Sequence, residues 1–137
     1  MIKAYIDAAV KANPGPAGLG IVIITDGCQE QLCHALSYDL NNHQAEFEAL
    51  IFLLDELLKR KQTHTIIQIY SDSKIVVQTI EKNYTNNPMF TKYLKIVNQK
   101  LAFFDACYLQ WIPEAQNKGA DNLARQGLQK ALKNRRK

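Results

Sequence analysis

Residues 65–73 read Thr65-Ile66-Ile67-Gln68-Ile69-Tyr70-Ser71-Asp72-Ser73, and this stretch decides the fold class. Its apolar first part is typical of a short, buried strand. The next three residues are of the kinds that cap helices, and the apolar residues at 75, 76, 77 and 80 predict a helix after them. A buried strand that leads into a helix indicates an α/β protein, in which ligands bind at the carboxyl ends of strands.

The segment before this unit predicts three antiparallel strands. They are expected over residues 2–8, 19–25 and 31–38. Asp26-Gly27 is a strong hairpin signal between the second and third strands. The cluster of Asn, Gly and Pro at residues 13–18 predicts a turn between the first and second strands.

Helices and strands alternate in the rest of the chain. Helices are expected from Asn41 or Asn42 to about Lys61, over 89–102 and from Lys118 onward, with a fifth strand over 106–112. The last helix is expected to bury Leu123, Ala124, Leu128 and Leu132. Trp111, near the end of the fifth strand, is expected in the core. The order β-β-β-α-β-α-α-β-α implies a five-stranded mixed sheet flanked by helices, with three antiparallel strands first and parallel strands after them.

Length and composition predict a single soluble domain over residues 1–137. The 47% of apolar and 22% of charged residues are ordinary for a globular protein. No apolar run approaches the roughly 20 residues that cross a bilayer, and Asp7 interrupts the start too early for a signal peptide. The three cysteines are an odd number without ligand spacing, which predicts reduced thiols in a cytoplasmic protein and argues against a zinc site.

The net charge of +4 is concentrated near the C-terminal end. Residues 118–137 hold seven basic residues and one acid. A basic end fits a polyanionic partner, whereas the alternative is a solvated helix end that only aids solubility. Charge alone leaves both interpretations open. The basic tail at residues 133–137 is compatible with either an ordered or a disordered end.

Four acidic residues lie where the predicted fold brings them to one edge of the sheet: Asp7, Glu46, Asp72 and Asp121. Each also has a structural explanation, as a strand-end residue, an N-cap, or an acid that suits the helix dipole in a first turn. Together they form a self-repelling cluster that divalent cations would stabilise. Carboxylates without Cys or His suit Mg²⁺, and two ions about 3.5–4 Å apart serve nucleases and phosphatases.

The motifs around these acids resemble those of the type 1 ribonuclease H family over nearly the whole chain. They are Tyr5-Ile6-Asp7-Ala8-Ala9 with Asn13-Pro14-Gly15-Pro16-Ala17-Gly18, then Asn42-His43-Gln44-Ala45-Glu46-Phe47-Glu48-Ala49-Leu50, Ile69-Tyr70-Ser71-Asp72-Ser73, and Trp111-Ile112-Pro113 with Asn117-Lys118-Gly119-Ala120-Asp121-Asn122-Leu123-Ala124. The family order of Asp, Glu, Asp and Asp maps onto Asp7, Glu46, Asp72 and Asp121. The resemblance implies a ribonuclease H-like fold with these four residues as catalytic metal ligands.

The activity that this resemblance implies is cleavage of the RNA strand of an RNA–DNA hybrid by a metal-dependent endonuclease, leaving 5′-phosphate and 3′-hydroxyl ends. Two Mg²⁺ ions are expected, with Mn²⁺ as a substitute. Asp7 would bridge both ions, Asp72 and Glu46 would complete one site, and Asp121 the other. The expected substrate-binding residues are Asn13, Gly15, Asn42, Ser73 and Lys118. The hybrid is the expected partner of a monomer that does not bind a membrane.

Three departures from the family pattern keep a second interpretation open. Ala8 stands where many members have Gly, the loop at 114–119 lacks the His of better-known members, and no basic protrusion lies between the second and third helices. Glu114 in that loop is expected to be an exposed residue, with proton transfer or weaker phosphate binding as the alternatives. The second interpretation is a catalytically weak or inactive nucleic-acid-binding module of the same fold, against which the four retained carboxylates argue.

Overall fold

The computed structural model describes residues 1–135 and contains a five-stranded mixed sheet. The strands are β1 (Ile2–Val10), β2 (Gly15–Thr25), β3 (Cys28–Leu40), β4 (Ile66–Ser71) and β5 (Ala106–Trp111). They lie in the order β3-β2-β1-β4-β5. The pairs β1–β2 and β2–β3 are antiparallel, whereas β4 runs parallel to both β1 and β5. The predicted sheet is therefore confirmed.

The turn between β2 and β3 is the hairpin that Asp26-Gly27 predicts. Asp26 has φ 45° and Gly27 has φ 79°, the left-handed conformation that a two-residue type I′ turn requires at both positions. Thr25 pairs directly with Cys28 across this turn. Because pairing begins next to the turn, β3 is longer than the predicted strand at 31–38.

The second strand begins earlier than predicted, because residues 15–18 belong to β2 and not to the preceding turn. The pairing of β2 with β3 shifts register between Gly15 and Ala17. Pro16 therefore lies where the ladder is already interrupted and its missing N–H costs little. The Gly and Pro residues that indicated a turn are accommodated by this irregularity.

The described residues form four α-helices. They are α1 (Asn42–Lys59), α2 (Lys74–Lys82), α3 (Pro88–Leu101) and α4 (Lys118–Arg135), and a short 3₁₀ turn (Glu114–Gln116) precedes the last of them. Asn41 and Gln44 form a capping box at the start of α1, in which each side chain accepts from the other residue's backbone N–H. Ser73 caps α2, and its Oγ accepts from the N–H of Val76 at 3.2 Å. These caps fix where α1 and α2 start relative to the sheet.

Helices α1, α2 and α3 cover one face of the sheet and form the main core. Ile6 and Ile21 of the strands and Phe47 and Leu53 of α1 are almost completely buried there. The ring of Phe47 also stacks on Tyr93 of α3, with centroids 5.3 Å apart. Burial of each such side chain contributes about 1.5–3 kcal/mol, so this face supplies the rigid support behind the strand ends.

Helix α4 packs closely against β2 on the opposite face. The residues it buries are mostly small: Ala120, Leu123, Ala124, Gly127 and Ala131. A Cβ atom on Gly18 would lie 2.0 Å from the backbone N of Leu128, so this position accepts no side chain. The predicted burial of Leu123 and Ala124 is confirmed, but Leu128 and Leu132 are only half-buried, because small residues make the contact.

Gly20 makes the same close contact one step nearer to the start of α4. A Cβ atom on Gly20 would lie 2.1 Å from the carbonyl oxygen of Ala120. Gly20 is also the residue of β2 that pairs with Asp7 of β1. The absence of a side chain at Gly20 therefore lets α4 bring Asp121, the residue after Ala120, toward Asp7.

The basic tail is partly helical, because α4 extends to Arg135 and includes residues 133–135. Arg135 Nη2 lies 2.5 Å from Asp39 Oδ1, which ties this end of α4 to β3. Arg136 and Lys137, the last two residues of the predicted tail, lie outside the described residues.

Two predictions from composition concern cysteines and membrane spans. Cys28, Cys33 and Cys107 are free, which agrees with the predicted thiols. Among the helices within residues 1–135, none combines the length and the apolar character needed to cross a bilayer.

Candidate active site

The sheet brings two of the predicted acids to one edge. Strands β1 and β4 are parallel with Ile6 paired to Ser71, so Asp7 and Asp72 both follow this pair. Asp121 joins them from the first turn of α4. These three acids line a cavity of about 80 Å³. The fold therefore brings three of the four predicted acids, which come from distant segments of the chain, to one cavity.

Asp7 lies within β1 and not at its end, so the strand-end explanation for this acid is wrong. Burial is the main reason that its pKa rises from 3.8 to about 8. The charges of Asp72, Asp121 and Glu46 raise the pKa of Asp7 further, in decreasing order. The backbone N–H of Ala8 donates to Asp7 Oδ1 at 2.9 Å and opposes the rise. Asp7 is therefore the centre of a mutually repelling group.

Two residues that follow β4 in sequence, Trp111 at the end of β5 and Asn117 before α4, hold Asp72 in place. Asn117 Nδ2 donates to Asp72 Oδ2 at 3.2 Å, and Trp111 Nε1 donates to the backbone carbonyl of Asp72 at 3.1 Å. The N-cap of α2 is Ser73 and not Asp72, so the capping explanation for Asp72 is excluded. Asp72 lines the cavity, with one of its carboxylate oxygens bonded to Asn117.

Glu114 of the 3₁₀ turn lines the same cavity. It is exposed, as predicted, but it also acts on the site electrostatically. Burial raises the pKa of Asp72, and the hydrogen bond from Asn117 opposes this rise. The charge of Glu114 raises the pKa further, ahead of the charges of Glu46 and Asp121. Glu114 thus adds a fifth negative group to the region of the four predicted acids.

Glu46 approaches the group from α1 without lining the cavity. Its Oε2 accepts a hydrogen bond of 2.6 Å from Ser73 Oγ and lies 3.2 Å from His43 Nδ1. The first turn of α1 contains no acid, so the helix-dipole explanation for Glu46 is wrong. Its charge still raises the pKa values of Asp7 and Asp72.

Asp121 is paired with a residue that sequence reasoning missed. Arg125 Nε lies 3.3 Å from Asp121 Oδ1, and Arg125 Nη2 lies 3.2 Å from Oδ2. The spacing of four residues on a helix was the available signal, since such residues are neighbours on its surface. Arg125 also lines the cavity, where it faces four carboxylates.

Asn117 is the second residue of the candidate site that sequence reasoning did not single out. It is 1% exposed, and its Nδ2 donates to the carbonyl of Ile6 at 2.8 Å as well as to Asp72. Its Oδ1 is buried without a hydrogen-bond partner in the described part of the protein. Asn117 therefore joins β1, β4 and the start of α4. Its position before a helix suggested only a loop residue.

The predicted substrate-binding residues fall into two groups. Asn13 and Asn42 are exposed and joined, because the backbone N–H of Asn42 donates to Asn13 Oδ1 at 2.8 Å. Lys118 is exposed at the start of α4. Gly15 is buried, and Ser73 is 6% exposed with its hydroxyl engaged inside the protein. Substrate contacts by all five stay predictions, and the first three have the more accessible side chains.

The donor set fits a hard divalent cation. The cavity presents carboxylate oxygens from Asp7, Asp72, Glu114 and Asp121, with no sulfur ligand. Within residues 1–135, no three His, Cys, Asp or Glu side chains form a ready-made set of metal ligands. Mg²⁺ keeps several of its waters and is usually bound by one or two carboxylates without an all-protein cage. A converging but open group of acids is compatible with this mode of binding.

Comparison with known proteins identifies one family along nearly the whole chain. The family described as reverse transcriptase-like matches residues 5–134. The chain belongs to this family. The matched segment includes all four predicted acids, all of α1 and β4, and all of β1 and α4 except the first residues of β1 and the last residue of α4.

One curated relative and two solved structures are similar to this chain over nearly its whole length. The putative hydrolase EbsB of Enterococcus faecalis is 45% identical over 136 residues, which are 99% of this chain and 100% of that protein. The ribonuclease H1 of Halobacterium salinarum has a TM-score of 0.84 at 29% identity, with 92% of this chain and 96% of that chain covered. LC11-ribonuclease H1, solved in complex with an RNA/DNA hybrid, has a TM-score of 0.80 at 28% identity, with coverage of 96% and 99%.

These comparisons confirm the predicted type 1 ribonuclease H family, its fold and a ribonuclease H enzyme. The chain spans between 49% and 65% of three curated ribonucleases H that it matches. Coverage is nearly complete for the two solved structures. The shared part is therefore the ribonuclease H-like domain.

Two expectations from the sequence, one for Ala8 and one for Trp111, are decided by the backbone and by burial. Ala8 does not have a positive φ, so replacing the common Gly causes no strain there. Trp111 is 39% exposed, so its predicted place in the core is wrong. Its indole reaches back to Asp72, and Lys74 Nζ lies 4.9 Å from the ring centroid. These polar contacts keep Trp111 at the surface beside the site.

Proposed function

We propose that this protein is a metal-dependent ribonuclease H, acting as one domain over residues 1–137. It hydrolyses the RNA strand of RNA–DNA hybrids and leaves 5′-phosphate and 3′-hydroxyl ends. The observation that carries the proposal is the convergence of Asp7, Asp72 and Asp121 on one cavity, with Glu46 acting on it electrostatically. Family membership and a hybrid-bound structural relative support it. The protein is proposed to act as a cytoplasmic monomer.

The four carboxylates would hold two divalent cations, Mg²⁺ or Mn²⁺. Asp7 would contribute to both positions, Asp72 and Glu46 to one, and Asp121 to the other. Such cations supply an activated water and stabilise the departing 3′ oxygen. The raised pKa values of Asp7 and Asp72 fit this role, because positive charge would relieve the repulsion that raises them.

The residues around the acids position them for this work. Ser73 Oγ orients Glu46, and Asn117 Nδ2 orients Asp72 while it holds the carbonyl next to Asp7. Both positioning side chains are buried, which fixes their rotamers. Carboxylates held in this way need little reorganisation when a cation and a phosphate arrive.

The substrate would lie across the linked residues Asn13 and Asn42, beside the acids. An RNA strand differs from DNA by its 2′-hydroxyl, which is both a donor and an acceptor and is displayed in a wide, shallow groove. Exposed amide side chains such as those of Asn13 and Asn42 suit this recognition. Lys118 would add a phosphate contact, and binding would weaken as salt rises.

A catalytically weak or inactive hybrid-binding module is the second candidate. One observation favours it: Glu114 adds negative charge to a cavity that a scissile phosphate must approach. The four acids that cation binding requires are nevertheless retained and gathered. Catalysis therefore remains the function that the geometry supports best.

Cleavage of a labelled RNA–DNA hybrid in Mg²⁺ and in Mn²⁺ tests the proposal. Single-stranded RNA and duplex RNA serve as comparison substrates, and Asp72→Asn is the inactive control. We expect cutting confined to the RNA strand of the hybrid, with the variant folded but inactive. Hybrid binding without cutting under either metal would favour the binding module. A substantially active Asp72→Asn protein would contradict the site itself.

A further inference from the structure

Among the described residues, five side chains line the acidic cavity. Arg125 is positively charged, and the other four are the acids Asp7, Asp72, Glu114 and Asp121. A cation in such surroundings is attracted by every neighbour, and its nearest partner is Asp121. The structure therefore has a side-chain cation where the proposed function requires a bound metal.

The contact between Arg125 and Asp121 occupies both oxygens of the carboxylate. Nε lies 3.3 Å from Oδ1, and Nη2 lies 3.2 Å from Oδ2. A guanidinium that meets a carboxylate with two nitrogens satisfies it in a fixed geometry. A metal ion that binds either oxygen must therefore share it with the guanidinium and is repelled by its positive charge.

The same contact is easily broken. The side chain of Arg125 is 71% exposed and that of Asp121 is 36% exposed. Exposed pairs of this kind, four residues apart on a helix, contribute little to stability. The long side chain of Arg125 can therefore leave the carboxylate without disturbing α4, whose buried side faces β2.

We propose that Arg125 is a displaceable counter-ion of the site. In the metal-free protein it neutralises Asp121 and limits repulsion within the acidic group, and it competes with the cation for both oxygens. Cation binding drives Arg125 out of the cavity toward solvent. Arg125 thus lowers the affinity for the metal and stabilises the metal-free state, which makes it a regulatory residue of the metal site. This inference rests on the proposed function.

Arg125→Gln tests the proposal by removing the charge while it keeps a polar side chain of similar reach. Removing one positive charge from beside a doubly charged ion should tighten Mn²⁺ binding about fivefold to tenfold. The metal-free variant should also melt about 1–4 °C lower, because the acids lose their counter-ion. The opposite signs of these two effects separate a counter-ion from a residue that merely supports the fold.

Arg135→Gln is the matched control. It removes the same charge from the same helix and breaks an ion pair with Asp39, which does not line the cavity. Its affinity for Mn²⁺ should stay within about twofold of the parent, as expected for a screened surface charge. Arg125→Lys keeps the charge but not the two-nitrogen contact, so its affinity should lie closer to the parent than that of Arg125→Gln.

Titration calorimetry with Mn²⁺ alone, without nucleic acid, gives the affinities, and melting in a chelator gives the metal-free stabilities. Tighter binding with lower metal-free stability in Arg125→Gln supports the proposal. Unchanged or weaker binding in that variant, while the parent binds Mn²⁺, overturns this inference and leaves the proposed function intact. Absence of Mn²⁺ binding by the parent overturns the metal-dependent function and this inference together.

Discussion

Ser73 Oγ donates a 2.6 Å hydrogen bond to Glu46 Oε2. Ser73 Oγ also accepts a hydrogen bond from the backbone N–H of Val76, which caps α2. One hydroxyl therefore starts a helix and also holds an acid that lies 27 positions away in sequence. The first task is local and readable from sequence, whereas the second depends on how α1 and α2 meet. Folding of α2 and placement of Glu46 are coupled through this atom.

Ser73→Ala should lower both stability and metal-dependent cleavage. Loss of the cap costs about 1 kcal/mol, and the freed Glu46 should weaken cation binding several-fold. Chemical unfolding and Mn²⁺ titration measure the two effects. Asn87→Ala is the control, because Asn87 caps α3 through the N–H of Met89 and bonds to no acid within residues 1–135. Equal metal affinity in the two variants would show that Ser73 is only a cap.

Asn117→Ala should lower the stability of the fold more than Ser73→Ala does. It removes the donor shared by the Ile6 carbonyl and Asp72, and buried acceptors left without a donor cost about 1–3 kcal/mol. Cleavage should fall as well, because Asp72 loses its orientation. Denaturant midpoints and initial rates are the measurements. Asn98→Ala, which breaks an exposed bond to Asn83, should change stability by no more than about 0.5 kcal/mol. A harmless Asn117→Ala would remove Asn117 from the site.

The metal-free protein should lose stability as the pH rises. The pKa of Asp7 is raised from 3.8 to about 8 by burial and by neighbouring acids, so folded Asp7 keeps a proton that the unfolded chain releases. The contribution of protonated Asp7 to the free energy of unfolding is complete below pH 3.8 and is lost as the pH rises toward about 8. Melting in a chelator across this window measures the loss. Asp7→Asn should flatten the profile, and a profile unchanged by that substitution would contradict the assignment.

Gly20→Ala should separate Asp121 from Asp7. The new Cβ would lie 2.1 Å from the Ala120 carbonyl, so α4 must move away, at a cost of about 3 kcal/mol. Mn²⁺ affinity should fall with it. Gly119→Ala is the matched control, because its Cβ would lie 3.5 Å from Val22 Cγ2, an ordinary contact. Near-normal metal binding by Gly20→Ala would show that this close contact does not set the site.

The sequence predicted the sheet, and the convergence of Asp7, Asp72 and Asp121, because the strand and helix signals that place these residues are local or periodic. Residue type alone predicts a strand for the run at 65–70 and a hairpin turn at Asp26-Gly27. The prediction for the buried face of α4 was partly wrong because it favoured large apolar side chains without knowing the surface of β2 against which the helix packs. Gly18 and Gly20 on β2 select small residues on the helix, and no pattern within α4 reveals that.

The positioning residues were missed for a related reason. Asn117 is important because of a carbonyl in β1 and a carboxylate after β4, which lie far from it in sequence. Trp111 was expected in the core because large aromatic residues usually bury themselves. It stays at the surface because its indole N–H finds the carbonyl of Asp72 and its ring meets Lys74. Partners of this kind become visible only when the chain is folded.

The surface position of Trp111 has a practical consequence, because the chain contains a single tryptophan. Its indole donates a hydrogen bond to the backbone carbonyl of Asp72, one of the predicted site acids, and is partly open to water. The tryptophan fluorescence of this protein therefore originates from one ring beside the acidic cavity. It provides a native optical signal for following the arrival of a cation or a nucleic acid in real time, without a label attached.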